Sequence, residues 1–410
     1  MDFDDTPQQT RLRQEVRAFL AEHEDELEHG DGAYLEAPGS DRIDALRRTQ
    51  AILFDAGYIG LTWPSRYGGG DGSNALQAIV NEELHRARVA GPVGHVGLGM
   101  CGPTVLAHGS EDQKDRYIRR LLRADDIWCQ LFSEPGGGSD LAALRTKAVR
   151  SGDTWKVSGQ KVWTTLAQYS RYGILLARTD PEAARHKGLT MFVIDMTAPG
   201  VTVRPLRQMN GHASFNEVFF DDVEIDDSER LGEVGDGWRV ALTTLMNERM
   251  AVGGGGGEVG VRIDALISHA AKRLPSVPAA RAPLAYEALG RVLVESLATR
   301  YTGYRMQTSL EAGGRPGPEA SAGKLAAVRV AHATADLGLR LLGDDAVFAR
   351  AGDDGDWRWA AGQASVPGIA IAGGTDEILR NVIAERVLGL PPDKVRAPAA
   401  ATATPAAPTS

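Results

Sequence analysis

Residues 128–140 read Trp128-Cys129-Gln130-Leu131-Phe132-Ser133-Glu134-Pro135-Gly136-Gly137-Gly138-Ser139-Asp140. The first half is apolar, which is typical of a strand, and Glu-Pro followed by three glycines predicts a sharp turn. Because glycines carry no side chains, the backbone amides of this turn stay open to a flat or anionic ligand. Most glycine loops are only turns, so a second segment has to support this one before it indicates a binding site.

That support comes from Gly159-Gln160-Lys161-Val162-Trp163-Thr164-Thr165. This segment follows a hairpin signal at Ser151-Gly152-Asp153 and presents an indole and two hydroxyls from a predicted strand. Together the two segments closely resemble the acyl-CoA dehydrogenase family, whose members bind FAD.

The resemblance implies roles for individual residues. Ser133 and the backbone around Phe132 would meet the pyrimidine edge of the flavin, Trp163 would form a stacking wall, and Thr165 would lie near flavin N5. Ser139 would face the FAD phosphates or the CoA moiety. Chemistry supports these roles, because an isoalloxazine needs a flat apolar wall and paired donors along its polar edge. The alternative is that Trp163 packs in the core and Thr165 is an ordinary strand residue.

Composition narrows the class of protein. The chain has 410 residues, of which 43% are hydrophobic, so two or three domains are expected. A net charge of −9 argues against a general nucleic-acid or anionic-membrane surface, since both require a basic face. CoA is also anionic, so a site for it must be locally basic.

Two cysteines, Cys101 and Cys129, form no disulfide framework and no metal-binding spacing, so no metal site is predicted. The start is acidic and no apolar run reaches about 18 residues, so we expect neither a signal peptide nor a membrane span. These features predict a cytoplasmic protein.

Periodicity predicts an α+β fold in four parts. Residues 1–127 read as an N-terminal α-helical domain, and residues 128–235 as a central antiparallel β domain. Residues 236–390 return to long helical patterns and predict a C-terminal bundle. Residues 391–410 are mostly alanine, proline and threonine, and predict a disordered tail.

Helix starts in the first domain can be predicted from two capping boxes, each a hydroxyl residue with a glutamine three positions later: Thr6 with Gln9, and Ser110 with Gln113. Helical patterns also cover residues 43–56 and 75–88. Glu82 and Glu83 are adjacent on the second of these. Adjacent helix residues point about 100° apart, so both are interpreted as exposed glutamates and not as a catalytic pair.

Short β-branched and aromatic runs bounded by glycine, proline and aspartate predict five strands in the middle domain: residues 154–157, 172–177, 189–194, 201–203 and 218–225. No G-x-G-x-x-G motif opens a helix, so a Rossmann domain is not expected.

A buried seam is predicted in the C-terminal bundle from apolar positions at alternating spacings of three and four: Leu325, Val328, His332, Ala335, Leu339 and Leu342. His332 is interpreted as a core or interface residue. The five glycines at 253–257 are costly inside a helical pattern, so they predict a close helix contact, a ligand or a helix break.

Ala372-Gly373-Gly374-Thr375-Asp376-Glu377-Ile378 also resembles the family. In family terms this segment closes over the flavin, which implies that Gly374 and Thr375 lie beside the ring. Many members carry the catalytic glutamate immediately before the Gly-Thr pair. Here that position is Gly373, so the commonest base is missing.

Two segments that usually reach the FAD diphosphate of a neighbouring subunit depart from the family pattern. Residues 272–278 read Lys-Arg-Leu-Pro-Ser-Val-Pro, and Arg340-Leu341-Leu342-Gly343-Asp344 stands where Gln-x-x-Gly-Gly is usual. Arg340 can pair with a diphosphate, whereas Asp344 would repel it. The resemblance therefore supports FAD binding at the β domain more strongly than FAD binding across a subunit contact.

Glu248 is the candidate base, because some family members place their glutamate on the first helix of the C-terminal domain and a small residue at the position of Gly373. Abstraction of an α proton requires a desolvated carboxylate. The resemblance implies that the N–H of Gly373 polarises the thioester carbonyl and that Arg249 holds the pantetheine or supports the base. The alternative is an exposed helix pair or an interface ion pair of Glu248 and Arg249.

The sequence therefore predicts an FAD-dependent acyl-CoA dehydrogenase that gives a 2,3-enoyl-CoA, with an acceptor such as an electron-transfer flavoprotein. The family resemblance and the seam imply a homotetramer or a hetero-oligomer with a related subunit. Alternatives are a non-catalytic or half-site partner subunit and a flavin monooxygenase or oxidase on the same scaffold. The acyl group, and the choice between CoA and a carrier protein, cannot be derived from the sequence.

Overall fold

The computed structural model describes residues 4–30, 40–253, 260–311, 317, 320–348 and 356–391. The predicted tail after residue 391 lies outside the described residues, and so does the glycine run after Gly253.

Five α-helices form the N-terminal part of the described chain: α1 Pro7–Glu22, α2 Ser40–Asp55, α3 Asn74–Arg86, α4 Gly102–His108 and α5 Glu111–Arg123. Both predicted capping boxes are confirmed. Thr6 and Gln9 exchange hydrogen bonds before α1, and Ser110 and Gln113 do so before α5. Each box pairs two N–H groups that no helix carbonyl can reach.

The interpretation of Glu83 as an exposed residue is wrong. Only 1% of its side chain is exposed, and it accepts hydrogen bonds from Arg13, Arg17 and Arg86. Burial raises the pKa of Glu83, but the hydrogen bonds from Arg17, Arg13 and Arg86 outweigh it and lower the pKa to about 2. Glu83 therefore ties α3 to α1 as a paired, ionised group.

Among the described residues, eight strands form one central sheet: β1 Trp128–Leu131, β2 Lys147–Ser151, β3 Thr154–Thr165, β4 Tyr172–Arg178, β5 Leu189–Asp195, β6 Val201–Leu206, β7 Phe215–Asp226 and β8 Arg230–Leu231. They follow the order β6-β7-β3-β2-β4-β5-β8, and β1 pairs with β4. All five predicted strands are confirmed.

The sheet is mixed, whereas the sequence predicted an antiparallel domain. β1 runs parallel to β4, with Trp128 opposite Tyr172, and β2 meets β4 in parallel at one position. The β2–β3 hairpin lies between β1 and β4 in the chain, and a connection of this length lets β4 enter the sheet in the same direction as β1.

Seven helices follow the sheet in the described chain: α6 Gly237–Gly253, α7 Ile263–Arg273, α8 Ala282–Glu311, α9 Ala320–Leu342, α10 Asp345–Phe348, α11 Trp357–Ile371 and α12 Asp376–Arg386. α9 packs against α6, α8 and α11. Gly338 on α9 lies directly under the buried indole of Trp359, and a Cβ atom there would meet the ring at 2.0 Å. Glycine is thus required for α9 and α11 to approach so closely.

The predicted seam on α9 is confirmed in part. Val328, Ala335 and Leu342 are buried, whereas Leu325, His332 and Leu339 are half-buried. Within the described residues, no helix combines the length and the apolar character that crossing a bilayer requires.

Candidate active site

The glycine loop and the second segment of the predicted flavin site are neighbours in the structure. Glu134 and Gly137 close a tight turn through two backbone hydrogen bonds of 2.9 and 3.0 Å. The N–H of Val162 donates to the carbonyl of Ser133 at 2.9 Å, which joins β3 to the residue that follows β1 and Phe132. The structure therefore brings both segments to one place.

Lys161 holds the base of this loop, a role that the sequence did not reveal. Its side chain is fully buried, and Nζ donates to the carbonyl of Phe132 and to Glu134 Oε1, both at 2.9 Å. Burial lowers the pKa of Lys161 to about 8, although Glu134 opposes the shift. Glu134 also accepts from the N–H groups of Arg145 and Thr146. The ion pair of Lys161 with Glu134 thus fixes the base of the loop.

Trp163 lies on a bulge of β3. The pairing of β3 with β7 shifts between Lys161 and Thr164, and Trp163 has a φ of 61°, in the left-handed region. Its indole is 57% exposed and meets Phe215 edge-on at 6.2 Å between ring centroids. A bulky residue at positive φ is uncommon, and bulges next to active sites re-aim side chains. The alternative in which Trp163 packs in the core is wrong.

Two threonines follow Trp163 in the chain. Thr165 is half-buried at the end of β3, and Thr164 Oγ1 is buried without a hydrogen-bond partner. A buried hydroxyl in that state is costly unless a further group pairs with it. The exposed aromatic face of Trp163 is one of the surfaces that an isoalloxazine requires.

Glu248 lies on α6, where two other segments meet it. The N–H of Gly373 donates to its Oε1 at 2.8 Å, and Gln130 Nε2 on β1 donates to its Oε2 at 3.3 Å. Burial raises the pKa of Glu248, while these two hydrogen bonds and the charges of Arg249 and Lys324 oppose the shift. The carboxylate is therefore more basic than a free glutamate, which suits a proton acceptor.

The turn at Gly373 and Gly374 lies beside Glu248. Both residues have positive φ, 66° and 95°. A Cβ atom on Gly373 would lie 3.9 Å from Glu248 Cγ and Oε1. Because a side chain would strain this backbone, the position suits glycine and leaves Glu248 as the carboxylate beside the turn.

Other predicted site residues lie in different surroundings. Thr375 caps α12, where its Oγ1 accepts from the N–H of Ile378 at 3.3 Å. Ser139 is exposed on the loop, and Arg340 is 73% exposed and pairs with Asp336 at 2.8 Å. The structure does not bring Arg340 to the other site residues. Arg249 is half-buried next to the base, with a buried Nε that has no hydrogen-bond partner.

Sequence reasoning missed Gln130, Lys161 and Lys324. All three are polar residues inside apolar patterns, on β1, β3 and α9. That placement was the available signal, because a polar group within a buried pattern requires partners. The identity of those partners depends on contacts between residues far apart in the chain.

Profiles of three domains of the acyl-CoA dehydrogenase family match the sequence in order. The N-terminal domain matches residues 6–125, the middle domain residues 129–223 and the C-terminal domain residues 235–388. The chain belongs to the acyl-CoA dehydrogenase family.

Individual relatives agree with this assignment. Acyl-CoA dehydrogenase FadE34 of Mycobacterium tuberculosis is 41% identical over 84% of this chain, which spans only 46% of that protein's length. Acyl-CoA dehydrogenase IpdE1 of the same organism is 36% identical over 93% of this chain and 97% of its own length. The solved Tcur3481-Tcur3483 steroid ACAD superposes with a TM-score of 0.81 at 27% identity, covering 96% of this chain and 100% of that one.

Proposed function

We propose that this protein binds FAD and dehydrogenates an acyl-CoA thioester to its 2,3-enoyl-CoA, with Glu248 as the base. The observation that carries the proposal is the position of the Glu248 carboxylate. It is hydrogen-bonded both to Gln130, on the strand that enters the glycine loop, and to Gly373, in the turn between α11 and α12. Three segments of the family site thus meet at one carboxylate.

Glu248 would remove the α proton as the α,β double bond forms. Burial raises its pKa and so strengthens it as a base. The N–H of Gly373 now donates to Glu248, and in the substrate complex we expect it to donate to the thioester carbonyl. Bound FAD would supply the acceptor for the hydride that leaves the β carbon.

We assign the flavin to the surface around Trp163. The proposed contacts are Phe132, Ser133, Ser139, Trp163, Thr165, Gly374 and Thr375, with Arg340 reaching the diphosphate of a neighbouring subunit. The exposed indole supports this assignment. Arg249, with its buried Nε, would hold the pantetheine or support the base.

The cofactor and the substrate class can be tested together. Purified protein incubated with excess FAD is expected to keep about one flavin per chain. Under anaerobic conditions the flavin band near 450 nm, a general flavin property, should then bleach with a preferred acyl-CoA. The panel should include short and medium chains, glutaryl-CoA and a steroid-bearing acyl-CoA, because a solved relative is named a steroid ACAD. A homogeneous preparation that stays free of flavin would contradict the proposal.

Glu248→Gln preserves the shape of the side chain and removes its basicity. We expect bleaching to slow by about 100-fold to 10,000-fold, the usual contribution of a general base. Glu295→Gln is a matched control, because Glu295 is a half-buried helical carboxylate that pairs with Arg329 on α9. If Glu248→Gln bleaches at the wild-type rate, Glu248 is not the base.

A half-site partner subunit is the second candidate. It is favoured by the name of the solved relative, which joins two components, and by the altered diphosphate segments at residues 272–278 and 340–344. In that case, protein purified alone would be colourless or carry about half a flavin per chain. Co-expression with a related chain would restore the flavin content.

The relatives named above are dehydrogenases, which favours this reaction over a monooxygenase or oxidase. Oxygen consumption by the reduced protein would separate these classes. As partners we propose an electron-transfer flavoprotein or a similar acceptor, and as location the cytoplasm. Fractionation and electron-transfer assays test both.

A further inference from the structure

Lys324 is a buried ammonium group on α9 that the proposed reaction does not use. None of its side chain is exposed. Nζ donates to the carbonyls of Ala370 at 2.7 Å and Gly374 at 3.2 Å, and to Asp376 Oδ1 at 3.2 Å. Because a buried ammonium is costly without acceptors, these three groups and Lys324 fix one another's positions.

The three acceptors lie at the end of α11, at the start of α12 and in the connection between these helices. Ala370 lies in the last turn of α11, where carbonyls lack helical partners and carry the negative end of the helix dipole. Asp376 is the first residue of α12. Between them Gly373 and Gly374 occupy the left-handed region, and glycine backbone is otherwise the most mobile in a chain. One side chain therefore ties both ends of this turn to the core.

The same turn contacts the proposed base, since the N–H of Gly373 donates to Glu248 at 2.8 Å. Two charged groups act on the Glu248 carboxylate: Arg249 from its own helix and Lys324 from α9. Both lower the pKa of Glu248, against the effect of burial. Lys324 therefore acts on Glu248 in two ways. It positions the turn whose N–H donates to the carboxylate, and its charge lowers the pKa of Glu248.

We propose that Lys324 is a positioning residue that holds the Gly373–Gly374 turn against Glu248. Its effect on the reaction rests on the proposed role of Glu248, whereas its hold on the turn does not. The two parts can be measured separately.

Hydrogen exchange of the purified full chain tests the turn. In Lys324→Met we expect amides of residues 371–376 to exchange at least about tenfold faster, because local opening becomes easier. Lys324→Arg should retain part of the protection. Arg329→Met is the control, because Arg329 is an exposed cation on the same helix. In this variant the same amides should exchange at the wild-type rate. If Lys324→Met does not fold, Asp376→Ala removes one acceptor and should give a smaller change in the same amides.

The pH dependence of flavin bleaching tests the effect on the base. Loss of the Lys324 charge removes one influence that lowers the pKa of Glu248, so the acid limb should move to higher pH. Lys324→Arg and Arg329→Met should leave the limb in place. A purely structural role would lower the rate without moving the limb.

A folded Lys324→Met that shows neither faster exchange nor a shifted limb overturns the proposal, and so does one that shows only one of them. If Glu248→Gln bleaches at the wild-type rate, the proposed function fails instead, and the exchange of the turn alone then decides the role of Lys324.

Discussion

Glu83 lies among the guanidinium groups of Arg13, Arg17 and Arg86, which are partly exposed while the carboxylate is buried. Its pKa of about 2 lies below the ordinary 4.5, so the folded state favours the ionised form. A depressed pKa contributes stability that is fully present above pH 4.5 and is lost as the pH falls from about 4.5 to about 2. The link between α1 and α3 is thus an acid-sensitive one.

For Glu83→Gln we expect a loss of about 1 to 3 kcal/mol in the free energy of unfolding near pH 7, less than for a fully buried pair because the arginines are screened by water. The loss should shrink as the pH falls towards 3. Urea unfolding at both pH values measures it. The adjacent Glu82→Gln is the control and should cost about 0 to 1 kcal/mol, because Glu82 is partly exposed. Equal effects of the two variants would contradict this account.

Individual residues differ in how well the sequence predicted them. The proximity of the segments that contain Ser133 and Trp163 could be predicted, because both segments resemble one family. The burial of Glu83 could not be predicted, because the arginines that pair with it come from two helices and from positions up to 70 residues away. Lys324 and Gln130 were missed for the same reason, since their partners lie far along the chain.

At the level of elements, local patterns predicted most of the fold. Capping boxes, hairpin turns and strand runs depend on neighbouring residues, and all those on α1, α5 and the five strands are found in the structure. The parallel pairing of β1 with β4 depends on how distant segments assemble, and so does the bulge at Trp163. Sequence periodicity carries no signal for either.

The bulge of β3 leads to a prediction about Trp163. Its indole is exposed, with Phe215 as an edge contact, so Trp163→Ala should leave the melting temperature of the flavin-free protein almost unchanged. The same variant should weaken FAD binding by about tenfold or more, because a stacking wall is lost. Fluorescence titration with FAD measures the affinity.

Val149→Ala is the matched control for this experiment. Val149 on β2 is also 57% exposed and lies outside both the proposed flavin surface and α8. It should leave FAD affinity unchanged. A wild-type affinity in Trp163→Ala would remove the indole from the flavin site.

At the scale of the whole molecule, α8 presents an exposed apolar stripe along its length: Tyr286, Val294, Leu297 and Tyr301. At about 100° per residue these positions fall within an arc of about 80°, away from the side that buries Val292. Contiguous apolar surface on a helix typically marks an association site. The stripe therefore supports assembly of this chain into an oligomer, which we propose to be a tetramer built as a dimer of dimers.

Leu297→Asp tests that assembly, because it places a charge in the middle of the stripe, and burial of an unpaired carboxylate opposes association. We expect light scattering at micromolar concentration to give a tetramer for the wild-type chain and a smaller species for the variant. Thr302→Asp is the control, since Thr302 is exposed on the same helix about 120° from the centre of the stripe. It should leave the mass unchanged. A wild-type chain that is monomeric under these conditions would contradict self-assembly and would favour the hetero-oligomer, in which a related subunit covers α8.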